Sequence, residues 1–427
     1  MNRQSSLSTQ DFLAHSVVRS GDPSWLNTLR QSASDRFLGL PGRKTEQWKY
    51  TAVAAQSVRA TADDADTFEP RVPQPLIDTD AKVVLINGDV SEMPGENRDG
   101  LCVKPLAAAL QEADQPLVDL LESLPIDGRQ HAFSQLNTAA LGQGLYIHVA
   151  AGIDAGELLL QWPCGAEEMN HARICVVLET GARLHLVEQF ENGSQHPAKL
   201  NLVEQIELGE GAELFHSRLQ HYPAESLLIG RTEVRHGTST RYSFTGMDLG
   251  AGLARHDVRS EFAGEGAGCS LNAAVLGSGD AHVDYHFEAD HQAMNCQSGQ
   301  LFRAVAGDRS KIVFNGRVHV APGADGSDSQ QSSAGLLLSR KAEIDAKPEL
   351  EILADEVVAA HGATVGQLDQ AAMFYLRSRG ISEEQGRKML TLAFCRSVID
   401  RVPHEALHES LAMRLTTAMD ELESGHE

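Results

Sequence analysis

Short apolar runs dominate the middle of the chain, from about residue 144 to about residue 356. Gly, Asn or Asp residues separate most of these runs, and no clear amphipathic helix interrupts them. The pattern predicts short β-strands joined by turns. Representative runs are Leu145–Val149, Leu158–Trp162, Ala172–Leu178, Leu200–Leu208 and Ser270–Leu276.

Helical patterns flank this β-rich middle. Near the N-terminus, apolar side chains from Trp25 to Phe37 fall on one helical face. After the β-rich region, Gln367–Arg379 has an apolar side and stops at Gly380, a residue that favours helix ends. Two further amphipathic helices follow. We therefore expect four regions: an N-terminal helical region and linker over 1–80, a small mixed segment over 81–143, a β-core over 144–362 and a C-terminal helical domain over 363–427.

Three architectures accommodate so many short strands without helices: a β-sandwich, a closed barrel or a stacked β-helix. The pattern alone does not choose among them, because no clean internal repeat is visible. The fold class predicted from the residues is therefore mainly β with helical ends.

Composition and charge narrow the function classes. The chain has 427 residues with 36 basic and 59 acidic side chains, a net charge of −23. This charge repels phosphate backbones and anionic membranes, so we expect neither nucleic-acid nor membrane binding. No apolar run approaches the roughly 18 residues of a membrane span, and the N-terminal residues lack an apolar signal core. We expect a cytoplasmic protein whose partners are proteins; homodimerisation stays open.

The six cysteines are isolated from one another and form no CxxC pair. Such cysteines in a cytoplasmic protein are usually small buried hydrophobic residues. We therefore expect neither a zinc ribbon nor a self-contained cluster site.

Two histidine patterns suggest alternative functions. His404, Glu405 and His408 form HExxH, the signature of a zinc protease, although few residues remain to supply a third ligand. A second group could bind a metal on the β-core: His282, His286 and His291. A third alternative, a β-helix carbohydrate-active enzyme, requires paired carboxylates in one groove.

The stretch Lys311–Asp369 contains three apolar runs, Ile312–Val320, Gly335–Leu338 and Leu350–Val358. A polar stretch able to hydrogen-bond its own backbone, Ser327–Ser333, separates the first two. At His361 the pattern changes from strand to helix. From the residues alone, His361 is most simply a turn residue at this junction.

Several short motifs in this stretch and after it occur together, in the order and spacing of a known family. The chain resembles the SufB/SufD proteins of iron–sulfur cluster assembly, and more closely the SufD members. The matching pieces are Gly316-Arg317-Val318, Ser327-Asp328, Gln330-Gln331, Pro348–Ile352, His361–Gly366 and Phe374–Gly380.

The resemblance implies a fold, a function and partners. The fold is a right-handed parallel β-helix between two helical domains. The function is that of a non-catalytic scaffold in a SufB–SufC–SufD complex that assembles iron–sulfur clusters. An ABC-type ATPase, SufC, docks on the C-terminal helices, and its ATP-driven dimerisation strains the SufB interface. The residues implied in the SufC contact are Phe374, Tyr375, Arg377, Arg379 and Gly380.

The resemblance also implies a site at the SufB interface. His361 is the candidate iron or cluster contact. Ala359 stands where many relatives have cysteine, so a thiolate ligand is absent at this position. The isolated chain is therefore expected to hold no cofactor, and the cluster is expected only transiently, with SufB. The residues implied in the SufB contact are Arg317, His319, Asp328, Gln330 and His361.

Overall fold

The computed structural model describes residues 9–13, 17–53, 71–94, 98, 100–123, 131–165, 168–193 and 196–424. Most of the predicted N-terminal linker, residues 54–70, lies outside them. Within the described ranges, no helix has both the length and the apolarity needed to cross a membrane.

Two long sheets face each other through most of the molecule, and the chain winds between them. Counted along the chain from the strand Gln143–Val149 (β4) onward, even-numbered strands belong to one sheet (sheet B) and odd-numbered strands to the other (sheet A). Neighbouring strands in this part are parallel and in register. The result is a parallel β-helix of about 8 coils, which confirms the predicted fold class and excludes the sandwich and the barrel.

The strands are mostly 8 to 11 residues long in the β-helix proper. Their bounds are β1 Lys82–Ile86, β2 Asp89–Glu92, β3 Leu101–Pro105, β4 Gln143–Val149, β5 Asp154–Gln161, β6 Asn170–Leu178, β7 Arg183–Glu191, β8 Lys199–Leu208, β9 Glu213–His221, β10 Leu227–His236, β11 Arg241–Asp248, β12 Leu253–Phe262, β13 Gly268–Gly277, β14 His282–His291, β15 Gln297–Ala306, β16 Lys311–Val320, β17 Ser327–Leu337, β18 Glu343–Ile352 and β19 Val357–Gly366.

Helices lie at both ends of the described chain, with short 3₁₀ segments at Thr9–Phe12 and Glu46–Trp48. The α-helices are α1 Ser24–Arg36, α2 Leu106–Glu112, α3 Gln115–Glu122, α4 Ala132–Ala140, α5 Gln370–Ser378, α6 Glu383–Ile399 and α7 Glu405–Ser424. α4 packs on the outer face of sheet B near Leu227 and Ile229, whereas α6 and α7 pack on the outer face of sheet A.

The coils stack because both their strands and their turns bond to the next coil. Gly181 and Gly211 occupy equivalent turns with φ of 66° and 68°, a conformation that glycine adopts without strain. Gly181 N–H donates to the Glu210 carbonyl at 2.8 Å, and Gly211 N–H donates to the Thr238 carbonyl at 2.9 Å. Coil length nevertheless varies, since in-register partners are 26 residues apart at Leu227 and 32 at Lys311. This variation hides the repeat in the sequence.

The space between the two sheets, the lumen, holds the main core. Alternate residues of each strand point into it, and in the first coils most of them are Leu, Ile, Val or Phe. In β17 the same inward positions are Ser327, Ser329, Gln331 and Ser333, all buried. The polar stretch that seemed to separate two apolar runs is therefore a strand with a polar inner face.

Candidate functional site at the open end of the β-helix

The β-helix ends at a coil that nothing in the described chain covers. This last coil consists of β18 and β19, the terminal strands of sheets B and A, and each pairs on one side within the described residues. Edge strands leave backbone N–H and C=O groups available to another strand. Four large apolar side chains of this coil are also exposed: Ile352 at 40%, Leu353 at 53%, Val358 at 65% and Val365 at 44%.

His361 lies in the middle of β19, so the expectation of a turn at a strand–helix junction is wrong. The strand continues to Gly366, and α5 begins at Gln370. His361 is in register with the inward-facing Gln331 of β17 and shares its face of sheet A. The imidazole is exposed because no further coil stacks on it. It therefore lies on the inner side of the open coil, where a partner or an ion can reach it.

Ala359 occupies the neighbouring inward position of β19, in register with Ser329. A cysteine at this position would place its thiol on the same face as the imidazole, two residues away. With alanine there, His361 is the metal-ligating side chain that the inner face of β19 offers.

The other residues expected at the SufB interface fall on two different outer faces. Arg317 and His319 lie on sheet B, where Arg317 bonds Glu288 and Glu351, both at 2.7 Å, and His319 bonds Asp290 at 2.7 Å. Asp328 and Gln330 face outward on sheet A and line a groove of about 510 Å³. The structure therefore brings Asp328 and Gln330 together and places Arg317 and His319 on the opposite side of the β-helix.

Helix α5 presents the residues expected to contact the ATPase. Asp369 caps its N-terminus by accepting a hydrogen bond from Ala371 N–H at 2.8 Å. Gly380, with φ of 85°, follows its C-terminus. Phe374 is 75% exposed and Tyr375 54% exposed, and Met373 is the helix's buried residue.

Two arginines extend this exposed aromatic surface. The Arg379 guanidinium lies over the Tyr375 ring at 4.6 Å, and Arg377 pairs with Glu383 at 3.6 Å. Solvated aromatic and arginine side chains at one helix end are typical of a protein interface.

The HExxH residues do not form a zinc site in this geometry. His404 precedes α7 and caps it, since its Nδ1 accepts a hydrogen bond from Leu407 N–H at 3.2 Å. Its Nε2 contacts Glu157 at 3.3 Å, whereas the Nε2 of His408 contacts Asp400 at 2.9 Å. The two imidazoles are therefore committed to different carboxylates.

The three histidines of β14 do not converge either. His282 and His286 share the outer face of sheet B, where His282 contacts Thr51 at 3.0 Å and His286 contacts Asp284 at 3.0 Å. His291 points into the lumen and bonds Ser298 at 2.8 Å. One ion could not bind all three.

A buried ionic cluster in the lumen escaped the sequence analysis. His216 Nε2 lies 2.9 Å from Glu188, and Arg218 Nη2 bonds Glu188 at 2.7 Å and also Glu204. Burial by itself raises the pKa of Glu188, but Arg218 and His216 offset this and hold it at about 2. Burial raises the pKa of Glu204 despite Arg218, and the charge on Glu188 adds to this rise.

Arg218 is therefore the cation of this cluster. Glu188, Glu204 and His216 are the one group of three metal-capable side chains that converges in the described part of the chain. A guanidinium already bonds both carboxylates, so we interpret the cluster as an internal ion-pair network. The signal in the sequence was Glu188 at an inward position, between Leu186 and Phe190.

The groove on sheet A also fails the test for a carbohydrate-active enzyme. Its carboxylates, Glu213 and Asp328, belong to one row of register partners that runs through Arg241, Gly268 and Gln297. Four strand spacings separate them, about 19 Å at about 4.8 Å per strand, whereas glycosidase carboxylates lie within about 10 Å of each other.

The cysteines offer no exposed cluster ligand in the described chain. Five of them are buried, as expected, and Cys102 is half-buried. Burial raises the pKa of Cys175, Cys269 and Cys395 to about 12. These thiols are protonated at neutral pH, whereas the thiolate is the form that binds metals.

Comparison with known proteins supports one family. Residues 163–394 match the family model described as SUF system FeS cluster assembly, SufBD core domain. An iron–sulfur cluster assembly SufBD family protein of Synechocystis is 29% identical over 436 residues, which cover 94% of this chain and 93% of that protein. The iron–sulfur cluster assembly protein SufD of Escherichia coli is 27% identical, over 88% of this chain and 89% of its own.

Proposed function

This chain belongs to the SufBD family of iron–sulfur cluster assembly proteins, and we propose that it is a non-catalytic, SufD-like scaffold subunit. It pairs with a SufB-like paralogue in the cytoplasm and carries a SufC-like ATPase on its C-terminal helices. The observation that carries the proposal is the open last coil, where exposed strand edges, exposed apolar side chains and His361 occur together.

The open coil supports pairing with a paralogue. A partner with the same β-helix end would continue both sheets by bonding the free edges of β18 and β19. It would also cover the apolar side chains Ile352, Leu353, Val358 and Val365, which cost free energy while they face water. His361 would then lie at the junction of the two lumens, sheltered from bulk solvent.

At that junction His361 would supply a neutral imidazole to iron. An imidazole nitrogen is a suitable ligand for iron in proteins. Because Ala359 provides no thiolate, the other ligands of the iron come from the partner subunit or from the sulfide delivered to the site. The cluster is the product that the complex passes on, so this chain needs to contribute only part of the ligand set.

Helix α5 connects the ATPase site to the cluster site. It follows β19 after a short connection and exposes Phe374 and Tyr375 next to Arg377 and Arg379. A displacement of α5 by a nucleotide-driven partner would act directly on β19 and therefore on His361. In this proposal α5 transmits the movement to β19, and ATP hydrolysis by the ATPase provides the energy for it.

Cluster assembly tests the role of His361. The purified chain is combined with its SufB-like and SufC-like partners, ferrous iron, a sulfide source and ATP, and cluster formation is followed by absorbance. We expect His361→Ala to lower the yield at least about tenfold, the loss typical of an essential ligand shell. His148→Ala, at the other end of the β-helix, is the control. Normal yield from His361→Ala in an intact complex would refute this role.

Binding measurements test the two interfaces separately. Phe374→Ala combined with Tyr375→Ala should weaken binding to the ATPase by about 2 kcal/mol or more if these aromatics are interface hot spots. Leu38→Ala, which removes an exposed side chain of the N-terminal region, should not. Neither change should affect binding to the SufB-like partner, whereas Val365→Lys should weaken that binding alone.

A further inference from the structure

The residue beneath His361 is a buried amide. Gln331 is in register with His361 on the adjacent strand and faces the same lumen. It is 6% exposed, although the imidazole above it is in solvent. Its Oε1 atom is buried without a hydrogen-bond partner among the described residues. A buried acceptor without a donor costs about 1–3 kcal/mol, so its persistence requires an explanation.

The orientation of this amide is determined by two backbone carbonyls. The Arg317 carbonyl can only accept, so the amide nitrogen of Gln300 donates to it, at 3.1 Å. The Gln300 oxygen must then face Gln331 and accepts from Gln331 Nε2 at 3.2 Å. The same nitrogen donates to the Gly316 carbonyl at 3.0 Å. Both N–H groups of Gln331 are therefore used, and its oxygen alone remains.

Gly316 makes room for this arrangement. A Cβ atom at this position would lie 2.6 Å from Gln300 Oε1 and 2.9 Å from the Phe314 ring. A side chain here would push Gln300 aside. It would thereby disturb the hydrogen bond in which Gln331 donates to the Gln300 oxygen. The series Arg317 carbonyl, Gln300, Gln331 is thus a hydrogen-bonded column that ends in one unused acceptor next to β19.

No hydrogen bond joins the side chains of Gln331 and His361 in this structure. We propose that Gln331 is a positioning residue: when the exposed imidazole of His361 turns toward the lumen, Gln331 Oε1 accepts one of its N–H groups and leaves the other ring nitrogen free to bind iron. Neutral imidazole carries one N–H, so a hydrogen bond to one nitrogen assigns the lone pair to the other. Metal-binding histidines typically donate their second ring nitrogen to such an acceptor, which fixes ring orientation and tautomer. The inference rests on the proposed role of His361 and adds the group that orients it.

The tautomer of His361 can be measured on the isolated chain. In protein labelled with ¹⁵N-histidine, the ring nitrogens of His361 are identified by their loss in His361→Ala. We expect a single tautomer in the wild-type chain at a pH where the ring is neutral. Gln331→Met, which keeps length but removes the acceptor, should give exchange between both tautomers. Ser329→Ala, the neighbouring inward position, is the control and should preserve the wild-type spectrum.

The wild-type spectrum decides the proposal even if Gln331→Met does not fold. A mixture of tautomers in the wild-type chain, or the same single tautomer in Gln331→Met, would overturn it. Gly316→Ala offers a second variant, because its Cβ would displace Gln300 and disturb the hydrogen bonds that orient Gln331, while both Gln331 and His361 are retained. It should also give exchange between the two tautomers of His361.

Assembly assays separate this inference from the proposed function. If both hold, Gln331→Met lowers the rate of cluster formation roughly ten- to a hundredfold, as loss of an outer partner typically does. If His361→Ala leaves assembly intact, the cluster role fails while the tautomer measurement still stands. If His361→Ala abolishes assembly and Gln331→Met does not, the positioning role fails alone.

Discussion

Two valines in one row of side chains show how solvent exposure changes between the middle of the β-helix and its last coil. Val275, Ala304, Gly335 and Val365 are successive register partners on sheet A and all face the lumen. Val275 is fully buried at 0% exposure, whereas Val365 is 44% exposed. Val275 therefore stabilises its coil by burial, whereas Val365 remains exposed and can be covered by a partner.

The outer face of sheet A shows the same division. Helices α6 and α7 bury Leu219, Met247 and Val305 of the middle coils, with Leu411 and Leu415 on the helix side. At the last coil, Val358 faces outward and is 65% exposed. A coil becomes a stable core when the next coil and the helices cover it. The apolar side chains of an uncovered coil stay exposed, so a partner can bind them.

The largest effect should come from the covering helix. Leu411→Ala removes a side chain that is 1% exposed and packs against sheet A, so it should reduce the free energy of unfolding by about 2–5 kcal/mol. Met413→Ala, on the exposed side of the same helix, should change it by less than about 0.5 kcal/mol. Urea denaturation followed by circular dichroism measures both. Equal losses would mean that α7 is not held by its apolar face.

The row itself provides the most direct comparison. Val275→Ala should destabilise the isolated chain by about 2 kcal/mol, because two buried methyl groups are lost and a small cavity remains. Val365→Ala removes the same atoms from a half-exposed site and should cost less than about 0.5 kcal/mol. Denaturation of both variants under identical conditions tests this. A cost at Val365 that matches Val275 would show that the last coil is covered in solution.

The sequence predicted the parts of this picture that depend on local pattern or on family motifs. Alternating apolar residues predicted the strands of the covered coils, and the motifs from Gly316 to Gly380 predicted the β-helix. The inner face of β17 was missed because Ser and Gln at inward positions resemble a loop. The sequence suggests a turn at His361 because the pattern changes there from strand to helix, whereas pairing with β17 keeps the strand extended to Gly366.

Site geometry depended on topology that no local pattern contains. Arg317 and Asp328 are close in sequence, but consecutive strands of a β-helix alternate between two sheets, so the residues lie on opposite outer faces. The unused acceptor of Gln331 likewise depends on hydrogen bonds to Gln300 and Gly316, 31 and 15 residues away. Residues this far apart in the sequence come into contact only because the coils stack.

The polar lumen near the last coils should make stability depend on pH. Burial lowers the pKa of His291 to about 4, with Asp290 opposing and His319 adding to the shift. The unfolded chain therefore binds one more proton than the folded chain between about pH 6.5 and pH 4. Stability should fall as the pH drops through this range, by up to about 1.4 kcal/mol per pH unit for this group.

His291→Gln isolates this contribution. Glutamine can still bond Ser298 and Ser327, the partners of His291, but does not titrate. Denaturation at pH 7, 6 and 5 should show that the free energy of unfolding of this variant falls less steeply than that of the wild-type chain. The difference in slope should be up to about 1.4 kcal/mol per pH unit, the contribution of one proton. Other buried histidines, including His171 and His236, keep the remaining dependence in both proteins. An unchanged slope would show that His291 is protonated, or exposed, in the folded state.

The smallest effect on stability should be found where the effect on association is largest. Val358→Thr keeps the β-branched shape and replaces one methyl group by a hydroxyl at a position that is 65% exposed. The isolated chain should change by less than about 0.5 kcal/mol, because water solvates either side chain. Binding to a second β-helix end should weaken, since the hydroxyl would be buried at the joined sheets without an assured partner. Calorimetric titration with the SufB-like partner measures the second quantity and denaturation the first. Loss of stability without loss of binding would reverse the assignment of the two regions.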